Sequence, residues 1–202
     1  MELFEAIRTT RAMRRLDPER PVGHRDLLAI VEAASKAPSG GNLQPTRWLI
    51  VTDENKRRRL GDIYRACWKR ARVSYQSAVD SGDEDAAATR LLRSADHLGE
   101  HMGQAPAIVI PCARGHADAS VWPAVQNLLL AARALGLGTT LTTVHRLREA
   151  DVKEVLDVPE AFTPFAMIPV GYPLGKWSEA PRRPTTDIAY WNAWKQPPPT
   201  LT

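Results

Sequence analysis

The sequence predicts a sandwich of the α/β or α+β class, with helices packed on a central sheet. Two observations lead there. Four apolar or β-branched runs of strand length occur, "RWLIVTD", "PAIVIPCA", "TTLTTV" and "FAMIPVGYP", and helical periodicity fills the sequence between them. The 202 residues, 44% of them hydrophobic, suit one domain over 1–202 with a sizeable core rather than two very small ones.

In chain order, Leu3, Phe4 and Ile7 mark one face of a short first helix. "HRDLLAIVEAASKA" places Leu27, Ile30, Val31 and Ala34 at i, i+3, i+4 and i+7, an amphipathic helix. "RWLIVTD" is a buried strand ended by Asp53, and two helical segments over 54–104 flank a polar break, "SGDEDAAA", around Gly82. "PAIVIPCA" is the second strand. Pro111 lacks the N–H of a central ladder, so a bulge or the strand's end is expected there. "DASVWPAVQNLLLAARALGLG" carries the strongest helix pattern, with Val125, Leu128, Leu129 and Ala132 on its core face and Gly136 and Gly138 as stop signals. "TTLTTV" reads as a strand, "READVKEVLDV" as a helix from about Glu149, and "FAMIPVGYP" as the last strand before a tail, "APRRPTTDIAYWNAWKQPPPT".

The totals narrow the function. A net charge of +4 favours anionic ligands but is too diffuse for nucleic-acid binding, and the strands lack interleaved aromatic and basic residues. Cys67 and Cys112 form no CxxC, so neither a disulfide framework nor a thiolate metal site is expected. No window reaches the length of a membrane span and "MELFEAIRTT" has no signal-peptide character, which points to the cytoplasm. No GxGxxG follows a strand, and no GxSxG or Cys/His pattern marks a nucleophile. "HLGEH" sets His97 and His101 one helical turn apart, with Glu100 between, but lacks HExxH order and a third ligand; no metal is expected.

Three polar clusters remain. "RTTRAMRRLDP" holds Arg8, Arg11, Arg14 and Arg15, "APSGGNLQP" holds Ser39, Gly40, Gly41, Asn42 and Gln44, and "PRRP" holds Arg182 and Arg183. Arg presents a planar fork matched to phosphate oxygens, whereas Asn and Gln offer donors and acceptors to a heteroaromatic edge. Together they suit a phosphorylated heteroaromatic cofactor. Taken singly, each also reads as a solvated face, a loop or an exposed tail, and spacing alone does not bring them together.

Over nearly its whole length the chain resembles the FMN-dependent nitroreductase family. The matching stretches are "IRTTRAMRRLDPERPV", "LLAIVEAASKAPSGGNLQPTRWLIVTD", "AVQNLLLAARALGLGTTLTT", "IPVGYP" and the basic tail segment followed by "IAYW". The resemblance implies an α+β fold with a mostly antiparallel central sheet flanked by helices, and a C-terminal tail extending to the partner of a homodimer that holds FMN at its interface. By the same resemblance Arg11 meets the FMN phosphate, together with Arg182 or Arg183. Arg14 lies at the flavin's pyrimidine edge, and Ser39 and Asn42 face the cofactor. Ala12, Arg15, Gly40, Gln44, Thr140, Leu141 and Thr142 complete the expected cofactor set. Thr10 and Ala12 stand where the family's "RRS" start has Arg and Ser, so one phosphate or ribityl contact is missing or moved. Counting back from "APAIVIPCA" puts His101 and Leu98 at family positions that carry Lys and Asn, and the family's carboxylate near flavin N5 is replaced by "GTTLTTV".

The function implied is NAD(P)H oxidation in a ping-pong cycle, with NADH or NADPH as donor and a small electron-poor acceptor such as a nitroaromatic or quinone. The chemistry resides on the flavin, so no catalytic side chain is expected. Trp68, Tyr75 and His101 are the candidate substrate contacts, with Tyr64 beside them; core packing is the other reading of these aromatics. Flavin cleavage, dehalogenation and a non-catalytic flavin- or anion-binding module are the alternatives.

Overall fold

The computed structural model describes residues 1–80 and 86–199, with backbone alone at 76–80 and 86–88. It is an α+β sandwich. Six α-helices are described: α1 Leu3–Thr9, α2 His24–Ser35, α3 Glu54–Asp80, α4 Ala86–His101, α5 Asp118–Ala134 and α6 Glu149–Leu156. The strands are β1 Arg47–Val51, β2 Ala107–Ala113, β3 Gly138–Thr139, β4 Thr163–Pro164 and β5 Ile168–Gly171. The sheet runs β1-β2-β5-β3, with β4 beside β2, and every strand pair is antiparallel. The expected polar break at Gly82 lies outside the described residues.

Strand β2 organises the core because both of its faces are buried. Ala107 and Val109 pack with Leu27, Ile30, Val125 and Leu128 of α2 and α5. Ile108, Ile110 and Cys112 pack the other way, with Leu60, Tyr64 and Cys67 of α3 and with Val152 of α6. A strand alternates its side chains, so one continuous apolar run serves two helical layers. On the second face Gly61 lets α3 approach backbone closely: a Cβ there would lie 2.6 Å from the Gly103 nitrogen.

Three expectations are corrected. Pro111 neither bulges nor ends its strand: β2 pairs Pro111 with Trp48 and continues to Ala113. The Pro111 carbonyl accepts from Phe165 N, in the gap between β5 and β4, so the missing donor faces a place where the ladder is already interrupted. Gly136, at φ +76°, terminates α5 as expected, but Gly138 belongs to β3, where Met13, Leu16 and Pro173 leave no room for a Cβ. "TTLTTV" is not a strand beyond Thr139. The segment leaves the sheet, rejoins it only through Thr142 and Met167, and turns into a short 3-10 helix at Val144. The α1 face marked by Leu3, Phe4 and Ile7 is exposed, and only Ala6 of that helix is buried.

Candidate cofactor and substrate site

The departure of 140–144 from the sheet builds the main cavity. Met13 N donates to Thr139 O at 2.8 Å, and Ala12 bridges Thr139 in parallel, so the N-terminal basic segment runs along the edge of β3. Arg14 is thereby set beside Thr140, Leu141 and Thr142. Helices α3 and α4 supply the opposite wall with Tyr64, Trp68, Tyr75, Leu92 and Leu98, around about 230 Å³. Five of the residues expected near cofactor or substrate (Arg14, Thr140, Leu141, Thr142 and Trp68), with Tyr75 at the rim, therefore meet.

Arg14 is half-buried and, among the described residues, its guanidinium makes no hydrogen bond or ion pair. Burial lowers its pKa, while the nearby Tyr64 and Tyr75 act weakly in the opposite sense. An uncompensated cation in a cavity is costly, and an anionic or electron-rich ligand would offset that cost. Tyr64 has its pKa raised, chiefly by burial, and shares a hydrogen bond of 3.2 Å with Thr142 Oγ1.

Arg14 also borders a second cavity of about 200 Å³, lined by His97, His101, Gln104 and Leu174. His101 and Trp68 thus line different cavities, which share Arg14 and Leu98. The two imidazoles stack with centroids 4.0 Å apart, and His101 Nδ1 lies 2.8 Å from the His97 carbonyl. Burial, then the charges of His101 and Arg15, lower the His97 pKa. Among the described residues no three His, Cys, Asp or Glu side chains gather as a metal would require.

The remaining expected residues lie elsewhere. Ala12, Arg11 and Arg15 are exposed, and Arg11 donates to Ser178 Oγ at the start of the tail. Arg8 pairs with Glu179 at 3.1 Å, so the tail begins against α1. Arg182 and Arg183 are exposed, and Arg182 borders a groove with Arg8 and Glu179. Ser39, Gly40, Asn42 and Gln44 form a separate loop. Its backbone takes positive φ at Gly41, Asn42 and Gln44, and Ser39 Oγ accepts from Gln44 N at 3.1 Å. Ser39 and Gln44 line a cavity with Arg47, Trp48 and Ser120, and no described cavity contains both this loop and Arg14.

Sequence reasoning missed what fixes Trp68. Its indole N–H donates to Asp96 Oδ1 at 2.9 Å, and Arg72 grips the same carboxylate at 2.7 and 3.2 Å. Only the pairing of α3 with α4 brings these residues together, so spacing carried no signal.

The fold and cavity define an antiparallel-sheet domain with a cationic, aromatic-walled pocket at the edge of its sheet. The chain belongs to the nitroreductase family, whose sequence model matches residues 7–172. It is 32% identical to an iodotyrosine deiodinase of Thermotoga neapolitana over 174 residues, covering 85% of this chain and 88% of that protein. It is 24% identical to an FMN reductase (NAD(P)H) of Bacillus subtilis, over 91% of this chain and 70% of the other. An iodotyrosine deiodinase solved with FMN and 3-iodo-L-tyrosine superposes with a TM-score of 0.75 at 27% identity, covering 96% of this chain and 100% of that one.

Proposed function

We propose that this protein is an FMN-dependent oxidoreductase that takes electrons from NADH or NADPH and passes them, in a ping-pong cycle, to a small electron-poor acceptor such as a nitroaromatic or quinone. The observation that carries the reading is Arg14: half-buried, without a protein partner among the described residues, and facing the cavity that Thr140, Leu141 and Thr142 close. When bound, FMN supplies hydride chemistry at its N5. Arg14 holds a fixed positive charge toward the pyrimidine edge, where reduction accumulates negative charge, and its geometry is set before the ligand arrives. Arg11, with Arg182 or Arg183, takes the phosphate, and exposed Ala12 and Arg15 flank that approach.

The loop of Ser39, Gly40, Asn42 and Gln44 enters this reading from a second copy of the chain. A cavity of about 230 Å³ is smaller than the roughly 300–1,000 Å³ that encloses a typical small-molecule ligand, which favours a site completed by a homodimer partner. The exposed apolar side chains of α1 and the tail supply a surface for that contact. Trp68 and Tyr75 border the acceptor's space, and His101 lines the second cavity. A nicotinamide donor would support a cytoplasmic location; among the described residues no helix is long and apolar enough to cross a membrane.

The test is the visible spectrum of the purified protein, identification of any cofactor released on denaturation, and NADH or NADPH oxidation with nitrobenzene or a quinone. Bound FMN with acceptor-dependent oxidation is the expected result. A colourless protein that cannot be loaded with FMN overturns the reading, and FMN-loaded protein that oxidises neither donor is a binding module.

The 32% identity to an iodotyrosine deiodinase favours reductive dehalogenation as the second reading. The cavity gives it limited support. Among the described residues it offers Arg14 to a carboxylate but no acidic side chain to an ammonium group. Iodide release from 3-iodo-L-tyrosine by reduced protein distinguishes the two.

A further inference from the structure

Among the described residues the cavity wall contains one hydrogen-bonded pair of hydroxyl groups, Tyr64 and Thr142, 3.2 Å apart. Their hydrogens can be counted. Val144 N–H already points at Thr142 Oγ1 at 3.3 Å and occupies one of its lone pairs. One of the two hydroxyl hydrogens lies between the oxygens, in whichever direction the bond runs. The other finds no acceptor among the described residues. If Tyr64 donates to Thr142, the spare hydrogen is on Thr142; if Thr142 donates, it is on Tyr64. In both cases the pair has one donor left over, and both residues line the cavity.

Arg14 on the same wall is also a donor only, and no Asp or Glu side chain is among the described lining residues. Carbon dominates the wall at Trp68, Leu92, Ala95 and Leu98, while Thr140, Thr143 and, at the mouth, Tyr75 add further hydroxyls. Flat apolar walls with donors and no charged acceptor select an aromatic ligand bearing electron-rich oxygens. A ligand without those oxygens would strip water from the donors and return nothing.

We infer that the Tyr64–Thr142 pair is a specificity determinant of this cavity, presenting one hydroxyl hydrogen to an acceptor oxygen on a flat aromatic ligand, of the nitro or quinone-carbonyl type. The choice of ligand class rests on the oxidoreductase reading; the donor count does not. Tyr64 is 3% exposed and held between α3 and the 140–144 segment, so the donor is fixed before a ligand enters.

Equilibrium dialysis of the full chain, with whatever cofactor it retains, against nitrobenzene and against toluene tests this directly. Tyr64→Phe keeps the buried ring and Thr142→Val keeps the branched shape. The variant lacking the terminal donor loses about three- to tenfold in nitrobenzene affinity, as expected for one hydrogen bond. The double variant loses no more, and toluene binding is unchanged throughout. The inference is overturned if both single variants keep the wild-type preference for nitrobenzene, or if toluene binding falls in step. It is overturned as well if Tyr64→Phe weakens FMN retention and leaves nitrobenzene alone, because the cofactor is then what takes the hydrogen; the oxidoreductase reading would survive that result. Conversely, a colourless protein that cannot be loaded with FMN, and whose nitrobenzene binding depends on the pair, supports the inference and removes the oxidoreductase reading.

Discussion

The indole of Trp68 on α3 donates to Asp96 Oδ1 on α4 at 2.9 Å, and Arg72, one turn along from Trp68, donates to both oxygens of that carboxylate. The bond joins the two helices that wall the main cavity. The Arg72 hydrogen bond is the main cause of the lowered Asp96 pKa. A depressed carboxylate pKa contributes stability that is present above the ordinary Asp range and is lost as pH falls through the folded value. The ion pair is solvent-exposed, so this pH-dependent part is small, and the cost of removing the carboxylate lies mainly in the buried indole N–H. Asp96→Leu strands that N–H at a cost of about 1 kcal/mol, whereas Asp96→Asn keeps an acceptor and costs less. Urea melts followed by Trp fluorescence measure both. Equal losses in the two variants would show that the charge, and not the indole bond, is what matters.

Gly99 lies behind the same indole. A Cβ at this position would sit 2.3 Å from Trp68 Cδ1. Trp68 is 6% exposed and cannot retreat without moving toward the cavity. Gly99→Ala is therefore expected to destabilise by about 1–3 kcal/mol, as overpacked cores do, and to alter the environment of the ring. A thermal melt together with the Trp emission maximum checks this. An unchanged melting temperature would mean that α4 shifts as a whole to accommodate the methyl.

His145, 0% exposed, gives the fold an acid-sensitive point. Its Nε2 lies 3.0 Å from the Pro164 carbonyl, which fixes the N–H on that nitrogen, and Nδ1 has no partner among the described residues. Burial lowers its pKa from 6.5 to about 4. Between those values the unfolded chain binds a proton that the folded chain refuses, so stability falls as pH drops through this window. The loss reaches about 2 kcal/mol at pH 5 relative to pH 8. Urea unfolding at pH 8, 6.5 and 5 measures the slope, and His145→Gln should flatten it. A slope that the variant leaves intact assigns the acid sensitivity to other groups.

The helices α2 and α5 were legible because a 3.6-residue period survives any tertiary context that buries one face. The 140–144 segment was not. Its β-branched run suits a strand, but the N-terminal segment occupies the edge of β3 through Ala12 and Thr139, and strand propensity yields to such context. Pro111 misled for a similar reason: the interruption between β5 and β4 that accommodates it belongs to the sheet, not to the local sequence. At the site, the resemblance selected Arg14 together with Thr140–Thr142, and the Met13–Thr139 hydrogen bond is what unites them. The Ser39–Gln44 loop was equally visible as a motif, yet within one chain it faces a different cavity. Sequence spacing carried no sign that this loop and Arg14 would line different cavities of one chain.

The exposed apolar ends of the chain make the proposed homodimer testable. Phe4 is 71% and Trp194 79% exposed, with Leu3, Ile188 and Trp191 also outward. A homodimer is expected, so light scattering should give twice the 22.4 kDa of one chain. If the second copy brings the Ser39–Gln44 loop, as proposed, Phe4→Ser combined with Trp194→Ser should shift the mass toward the monomer and release cofactor in the same titration. A wild-type monomer that retains FMN would refute the shared site.

Arg14 yields two effects of opposite sign from one substitution. Its guanidinium is half-buried without a described partner, so the cofactor-free fold bears the cost of desolvating it. Arg14→Met keeps the aliphatic stem and removes the charge. The cofactor-free protein should then be as stable as wild type or more so, seen as an unchanged or raised melting temperature. FMN affinity should fall by about ten- to a hundredfold, the range for losing a charge-assisted hydrogen bond. The flavin's reduction potential should drop as well, because the fixed cation that favours the reduced form is gone. A variant that melts earlier and binds FMN normally would reverse both signs and make Arg14 a structural residue.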